Sequence, residues 1–197
     1  MQNAPKQPPL SQAERFSWLR LARTESIGPI TFYKLLDRFG TADKALEALP
    51  ELSKNGGRKK PLTPPSFDKV EKELDSVAKA GGTLLTAADP DYPISLAALE
   101  DAPPVLTVFG HVHLLNQPCL GMVGARNASL NGRKMAEKLA RECGTKSDMA
   151  IVSGLARGID AAAHKGALET GTVAVVGGGV DVIYPRENKE LYHQICD

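Results

Sequence analysis

The sequence predicts an α/β fold, a parallel sheet with right-handed crossovers, preceded by a small all-helical unit. Three observations carry this reading. From Cys119 onward, short apolar runs alternate with amphipathic helical stretches, the order expected of a parallel sheet. Each apolar run ends in a Gly-rich turn, at Gly124, Gly154 and Gly177. Ahead of them, residues 11–50 hold three short amphipathic patterns separated by cap and stop signals.

The elements follow in order. Residues 1–10, with Pro5, Pro8 and Pro9, read as a disordered lead-in. Ser11 and Glu14 form a capping box for a helix carrying Phe16 and Leu19. Pro29 opens a second helix, with Phe32, Leu35 and Leu36, that ends at Phe39-Gly40. Thr41 caps a third, with Ala45, Leu46 and Leu49, which Pro50 is expected to stop. Residues 51–66, rich in Gly, Lys and Pro, read as a linker. Residues 67–197 form the α/β domain, beginning with a helix over 67–80 that carries Phe67, Val70, Leu74 and Val77. Strands are predicted at 83–86 and 105–109, flanking a Pro-rich, largely extended segment. The alternating part then gives strands at 120–123, 150–153 and 172–176. Helices are expected over 131–143, from Asp160 to Leu168, and from Arg186 onward.

Composition excludes several classes. No apolar run approaches the ~18–20 residues that cross a bilayer, and the N-terminus lacks the apolar region of a secretory signal. Cys119, Cys143 and Cys196 are widely spaced with no CxxC pair, which argues for a reducing, cytoplasmic compartment. The four histidines show no metal-ligand spacing, so neither a metal nor another cofactor is expected. The net charge of +1 divides into +5 over residues 1–60 and −4 over the rest. Residues 124–165 nevertheless carry eight Lys/Arg against four Asp/Glu.

In a parallel sheet, ligands bind beyond the carboxyl ends of the strands. Gly124, Gly154 and Gly177 let the backbone approach a ligand and leave helix-end N–H groups for phosphate oxygens. Arg126 and Arg157 place two guanidinium forks beside one crevice, and Ser129 and Ser153 add neutral donors. Sharper motifs fail. No GxGxxG follows the first strand of the alternating part, Ser153 is not in a GxSxG elbow, and Gly144-Thr145-Lys146-Ser147 has the wrong spacing for a P-loop. Asp160 and His164, four apart, read as a hydrogen bond fixing a helix start rather than as a catalytic dyad. Residues 21–30, followed by Leu35-Leu36 and Arg38-Phe39-Gly40, resemble a helix–hairpin–helix in which Ser26 replaces the first hairpin glycine. Contact with a DNA backbone, a packing role and a protein-binding SAM-like bundle all remain open for that element.

The run Met122-Val123-Gly124-Ala125-Arg126-Asn127-Ala128-Ser129 is followed by Val152-Ser153-Gly154-Leu155-Ala156-Arg157-Gly158-Ile159-Asp160 and by Val176-Gly177-Gly178-Gly179 with Tyr184-Pro185. Together with Asp89-Pro90-Asp91-Tyr92-Pro93 upstream, these resemble the DNA-processing protein A (DprA/Smf) family from about residue 14 to the end. The resemblance implies a Rossmann-like sheet with helices on both faces behind a SAM-like/helix–hairpin–helix domain. It implies a non-catalytic protein that binds and protects incoming single-stranded DNA, assists loading of RecA recombinase in natural transformation, and forms a homodimer when full-length. Arg126 carries over as the DNA-contacting arginine. Gly124, Ser129, Ser153, Gly154, Arg157 and Gly158 carry over as pocket wall, and His164 and Lys165 as its neighbours. Few aromatic residues flank these loops, so binding is expected to be backbone-driven, weakly sequence-selective and salt-sensitive. A full member continues through a Phe-Pro…Arg-Asn-Arg segment and further strands, so the resemblance implies a chain incomplete within its Rossmann-like domain. The alternative is a nucleotide-binding or phosphoribohydrolase-type protein using the same loops, for which Asp181 is the one acid near the Gly-rich turn.

Overall fold

The computed structural model describes residues 9–55, 61–179 and 182–197. The expected lead-in therefore falls almost wholly outside the described residues, as do residues 56–60 of the expected linker and Asp181. The chain forms two compact units, residues 1–107 and 108–197.

The first unit begins with α1 (Gln12–Ala22), α2 (Pro29–Phe39) and α3 (Ala42–Asn55). Both halves of the Ser11/Glu14 capping box are made: the Ser11 hydroxyl accepts from the Glu14 N–H, and the Glu14 carboxylate accepts from the Ser11 N–H at 2.8 Å. Leu21, Ile27, Phe32, Leu35, Leu46 and Leu49 fill the core between the three helices. Ser26 stands in the hairpin at φ +65°, the conformation its missing glycine would adopt.

Pro50 does not stop α3, which continues to Asn55, five residues into the expected linker. Its missing N–H and its ring together cost a helix interior about 3 kcal/mol. Burial of Leu49, each such side chain contributing about 1.5–3 kcal/mol, and packing of Leu52 on the same core offset that loss. Ser53 adds to it, donating to Leu49 O at 2.7 Å and accepting from the Leu62 N–H at 2.8 Å.

Helix α4 (Phe67–Lys79) and the paired strands β1 (Thr83–Thr86) and β2 (Val105–Val108) follow. A second core of Leu19, Val70 and Val105 joins α1, α4 and β2. The segment expected to be extended contains one short helix, α5 (Ile94–Ala97). Asp89 is buried and paired with Arg15, and it also accepts from the Thr86 N–H and hydroxyl at 2.7 and 2.9 Å. Burial alone would raise its carboxyl, but the hydrogen bonds from Arg15 and Thr86 hold it below the usual range.

The second unit holds β3 (Cys119–Gly121), α6 (Leu130–Ser147), β4 (Ala150–Ser153), α7 (Ile159–Ala167), β5 (Thr172–Ala174) and α8 (Lys189–Cys196). The strands form a parallel sheet in the order β3-β4-β5, with Leu120 opposite Ile151 and Val152 opposite Val173. Ile151, Ala140, Ala163 and Ala167 make its core, and small residues let α6 and α7 approach closely. Helix α6 runs four residues beyond its expected end, taking Gly144-Thr145-Lys146-Ser147 as its last turn.

Two expectations about Asp160 and His164 are corrected. Asp160 lies in the first turn of α7, and its carboxylate accepts from the Gly124 N–H at 3.3 Å and the Gly154 N–H at 3.2 Å. It joins the ends of β3 and β4 rather than pairing with His164. His164 is 0% exposed, and its Nδ1 lies 2.7 Å from Thr172 Oγ1. The Thr172 hydroxyl donates to Ile151 O at 2.8 Å, so His164 Nδ1–H is the donor to Thr172. Burial pushes this imidazole down to about 4, with the charge of Asp160 working weakly against the shift.

Two outcomes are expected. Asp160→Ala leaves two loop amides without their acceptor and lowers unfolding free energy by about 2 kcal/mol, measurable by urea denaturation at neutral pH. Between pH 6.5 and about 4 the unfolded chain binds a proton at residue 164 that the folded chain does not. Stability therefore falls as pH drops through that window, by roughly 3 kcal/mol in all from this group. Urea midpoints across the window in His164→Gln should show a flatter slope than in the parent protein.

Candidate nucleic-acid interface

The carboxyl ends of β3 and β4 interlock. Gly158, at φ +82°, sits so close to the β3–α6 loop that a Cβ there would collide with the carbonyl oxygen of Ala125 and come within 2.6 Å of that of Arg126. Gly124 packs as tightly on Ile159, where an added Cβ would lie 2.7 Å from the side chain. Both glycines are required by these contacts. Leu155 is buried and held at φ +56°, a conformation that costs a leucine about 1–2 kcal/mol. Its carbonyl accepts from Asn188 Nδ2 at 2.9 Å, and Ala156 O lies 3.3 Å from the same nitrogen. Asn188 thus clamps the segment after the third Gly-rich turn onto the β4–α7 loop.

These contacts bring Arg126, Gly154, Ala156, Arg157, Tyr184 and Pro185 around one small cleft of about 110 Å³. Arg126 and Arg157 are exposed, as are Gly124, Ser129 and Lys165. Arg157 faces Glu187 at 3.6 Å, an exposed ion pair. Along α6 three cations face the helix's two acids, Lys138 and Lys146 sharing Glu142 and Arg141 on Glu137. Of the eight cations between 124 and 165, the same four are paired in this way, Lys138, Arg141, Lys146 and Arg157. The positive charge open to a ligand therefore lies on Arg126, Arg133, Lys134 and Lys165.

Several predicted site residues have other work. The Ser153 hydroxyl is buried and donates to Met122 O at 2.7 Å, tying β4 to the end of β3. Ser129 caps α6 by accepting from the Gly132 N–H at 3.1 Å. His164, turned inward to Thr172, supports the sheet from within and does not reach the cleft. Some of the helix-end amides expected to hold phosphates are likewise engaged. Asp160 takes those of Gly124 and Gly154, and Ala125 O lies 3.3 Å from the Ile159 nitrogen.

Sequence reading missed three contributors. Tyr184 was legible only as half of a Tyr-Pro signature. Asn188 read as the opening of a helix, and Glu187 carried no signal of its own. All three depend on where the last segment folds back. Among the described residues no three His, Cys, Asp or Glu side chains gather as metal ligands, and no helix is long and apolar enough to cross a membrane.

Comparison with known proteins agrees with this architecture. Residues 83–197 match the family model for DNA recombination-mediator protein A, and residues 12–76 match the DprA-like N-terminal HHH domain. The chain is 32% identical to Protein Smf of Synechocystis over 95% of its own length and 50% of that protein's. It is 45% identical to the DNA processing protein DprA of Streptococcus pneumoniae over 54% of its length, covering 38% of that relative. It thus spans half or less of these curated relatives. The X-ray structure of the S. pneumoniae protein superposes on 92% of the chain with a TM-score of 0.66 at 31% identity, and the chain covers 64% of that structure. DNA processing protein A of Helicobacter pylori, whose structure addresses its single-stranded DNA binding mode, superposes on 59% of the chain and 52% of its own, with a TM-score of 0.53 at 28% identity. With one family model covering more than half of its residues and a second covering the helical unit, the chain belongs to the DNA recombination-mediator protein A (DprA/Smf) family.

Proposed function

We propose that this chain binds single-stranded DNA through the cleft at the ends of β3 and β4, as a non-catalytic cytoplasmic DNA-processing protein. The observation that carries the reading is the convergence of Arg126 and Arg157 on one cleft, on loops locked by Asp160, Gly158 and Asn188. Two guanidinium forks on a rigid frame suit successive phosphates, which are present at every nucleotide whatever its base. Gly124, Gly154 and Gly158 shape the loops, while Ser129 and Lys165 border them. Protection of incoming DNA, loading of RecA recombinase and pairing with a second copy extend this reading on the strength of the family resemblance. The acid that the nucleotide-hydrolase alternative relies on, Asp181, lies outside the described residues.

Binding through arginines predicts strong salt dependence. Fluorescence anisotropy with labelled oligo-dT, titrated from about 50 to about 200 mM salt, should show Arg126→Ala weakening affinity and lowering the log–log salt slope by about 1. An unchanged affinity removes Arg126 from the site. Glu187→Gln works in the opposite direction. It frees Arg157 from its exposed carboxylate and should tighten binding about two- to fivefold at the low-salt end, the range expected of one exposed ion pair.

A further inference from the structure

We infer that Tyr184 is a base-stacking platform that makes the cleft select unpaired over duplex DNA, an inference that rests on the single-strand reading above. Phosphates are present in both forms of DNA, so Arg126 and Arg157 alone give no reason to prefer one of them. A preference for single strands needs a group that reads what a duplex hides, the flat faces of its bases. The second unit has Phe109, Tyr184 and Tyr192 as its aromatic residues, and of these only Tyr184 lines the cleft.

The environment of Tyr184 fits that role. Its side chain is 71% exposed, although a phenol ring normally gains by burial. The chain that follows the ring is anchored. Pro185 and Asn188 are buried, and Asn188 Nδ2 bonds to the carbonyls of Leu155 and Ala156 on the loop that carries Arg157. The ring is therefore held at the rim beside the two guanidinium groups while its surface stays open. A nucleotide offers the matching pair of features, an anionic phosphate and an adjacent π-face. All four bases have such a face, so the contact favours unpaired strands without favouring a sequence.

The test uses the 197-residue chain and its variants Tyr184→Ala, Tyr184→Phe and Arg126→Ala. Anisotropy is measured on oligo-dT, on an abasic oligonucleotide of equal length, and on duplex DNA. Tyr184→Ala should weaken oligo-dT binding about tenfold and leave abasic and duplex binding unchanged, with Tyr184→Phe matching the parent. Equal weakening on oligo-dT and abasic DNA overturns the stacking role, because the ring would then act on the backbone. No change on oligo-dT in Tyr184→Ala, with Arg126→Ala still impaired, overturns this inference and spares the phosphate-binding reading. No change in either variant overturns both.

Discussion

One buried carboxylate, that of Asp160, holds the ends of two parallel strands at a fixed spacing, and the cleft depends on it. Parallel strands that feed successive helices finish on the same side of a sheet, and their last amides point into a region with no further strand to pair them. Left unpaired in a half-buried site, each would cost about 1–3 kcal/mol. Asp160 accepts from both. With the loops joined this way, Gly158 can nest beneath the carbonyls of Ala125 and Arg126, and Gly124 can pack on Ile159. The arginines then project from a frame with little freedom to splay. The same bond has a consequence for recognition. The Gly124 and Gly154 amides, placed where other α/β proteins receive a phosphate, are already used here.

Electrostatics at the site follow from what is paired and what is not. The basic excess over residues 124–165 is distributed along a long helix, where three of the five cations face its two glutamates at i,i+4 spacing. The open cations cluster near the start of α6 and in the loop before it, where Arg126, Arg133 and Lys134 lie. Glu187 sets a carboxylate against Arg157 at the rim and competes with any incoming phosphate.

The helical unit solves a separate problem with ordinary means. Its local signals were strong and the structure follows them at the Ser11 cap, at Pro29 and at Gly40. It departs from them at Pro50, where the burial of Leu49 and the bonding of Ser53 keep the helix going. Ser26 keeps the hairpin conformation of a residue it does not chemically resemble.

The sequence alone determined the class of the fold, the order of the elements and the Gly-rich loops at the strand ends. These are set by periodicity, caps and glycine turns, which act over a few residues and leave local marks. It also carried the family resemblance, because that rests on the same loops. Tertiary structure decided which side chains in those loops are free. Ser153 and His164 were indistinguishable in sequence from ligand-facing residues, but one is turned to Met122 and the other to Thr172. Asp160 looked like a partner for His164 and serves two backbone amides instead. Tyr184, Glu187 and Asn188 come to the cleft only because the chain returns to it some thirty residues after Leu155. A side chain's partner across that separation is chosen by packing, and no short-range pattern records it.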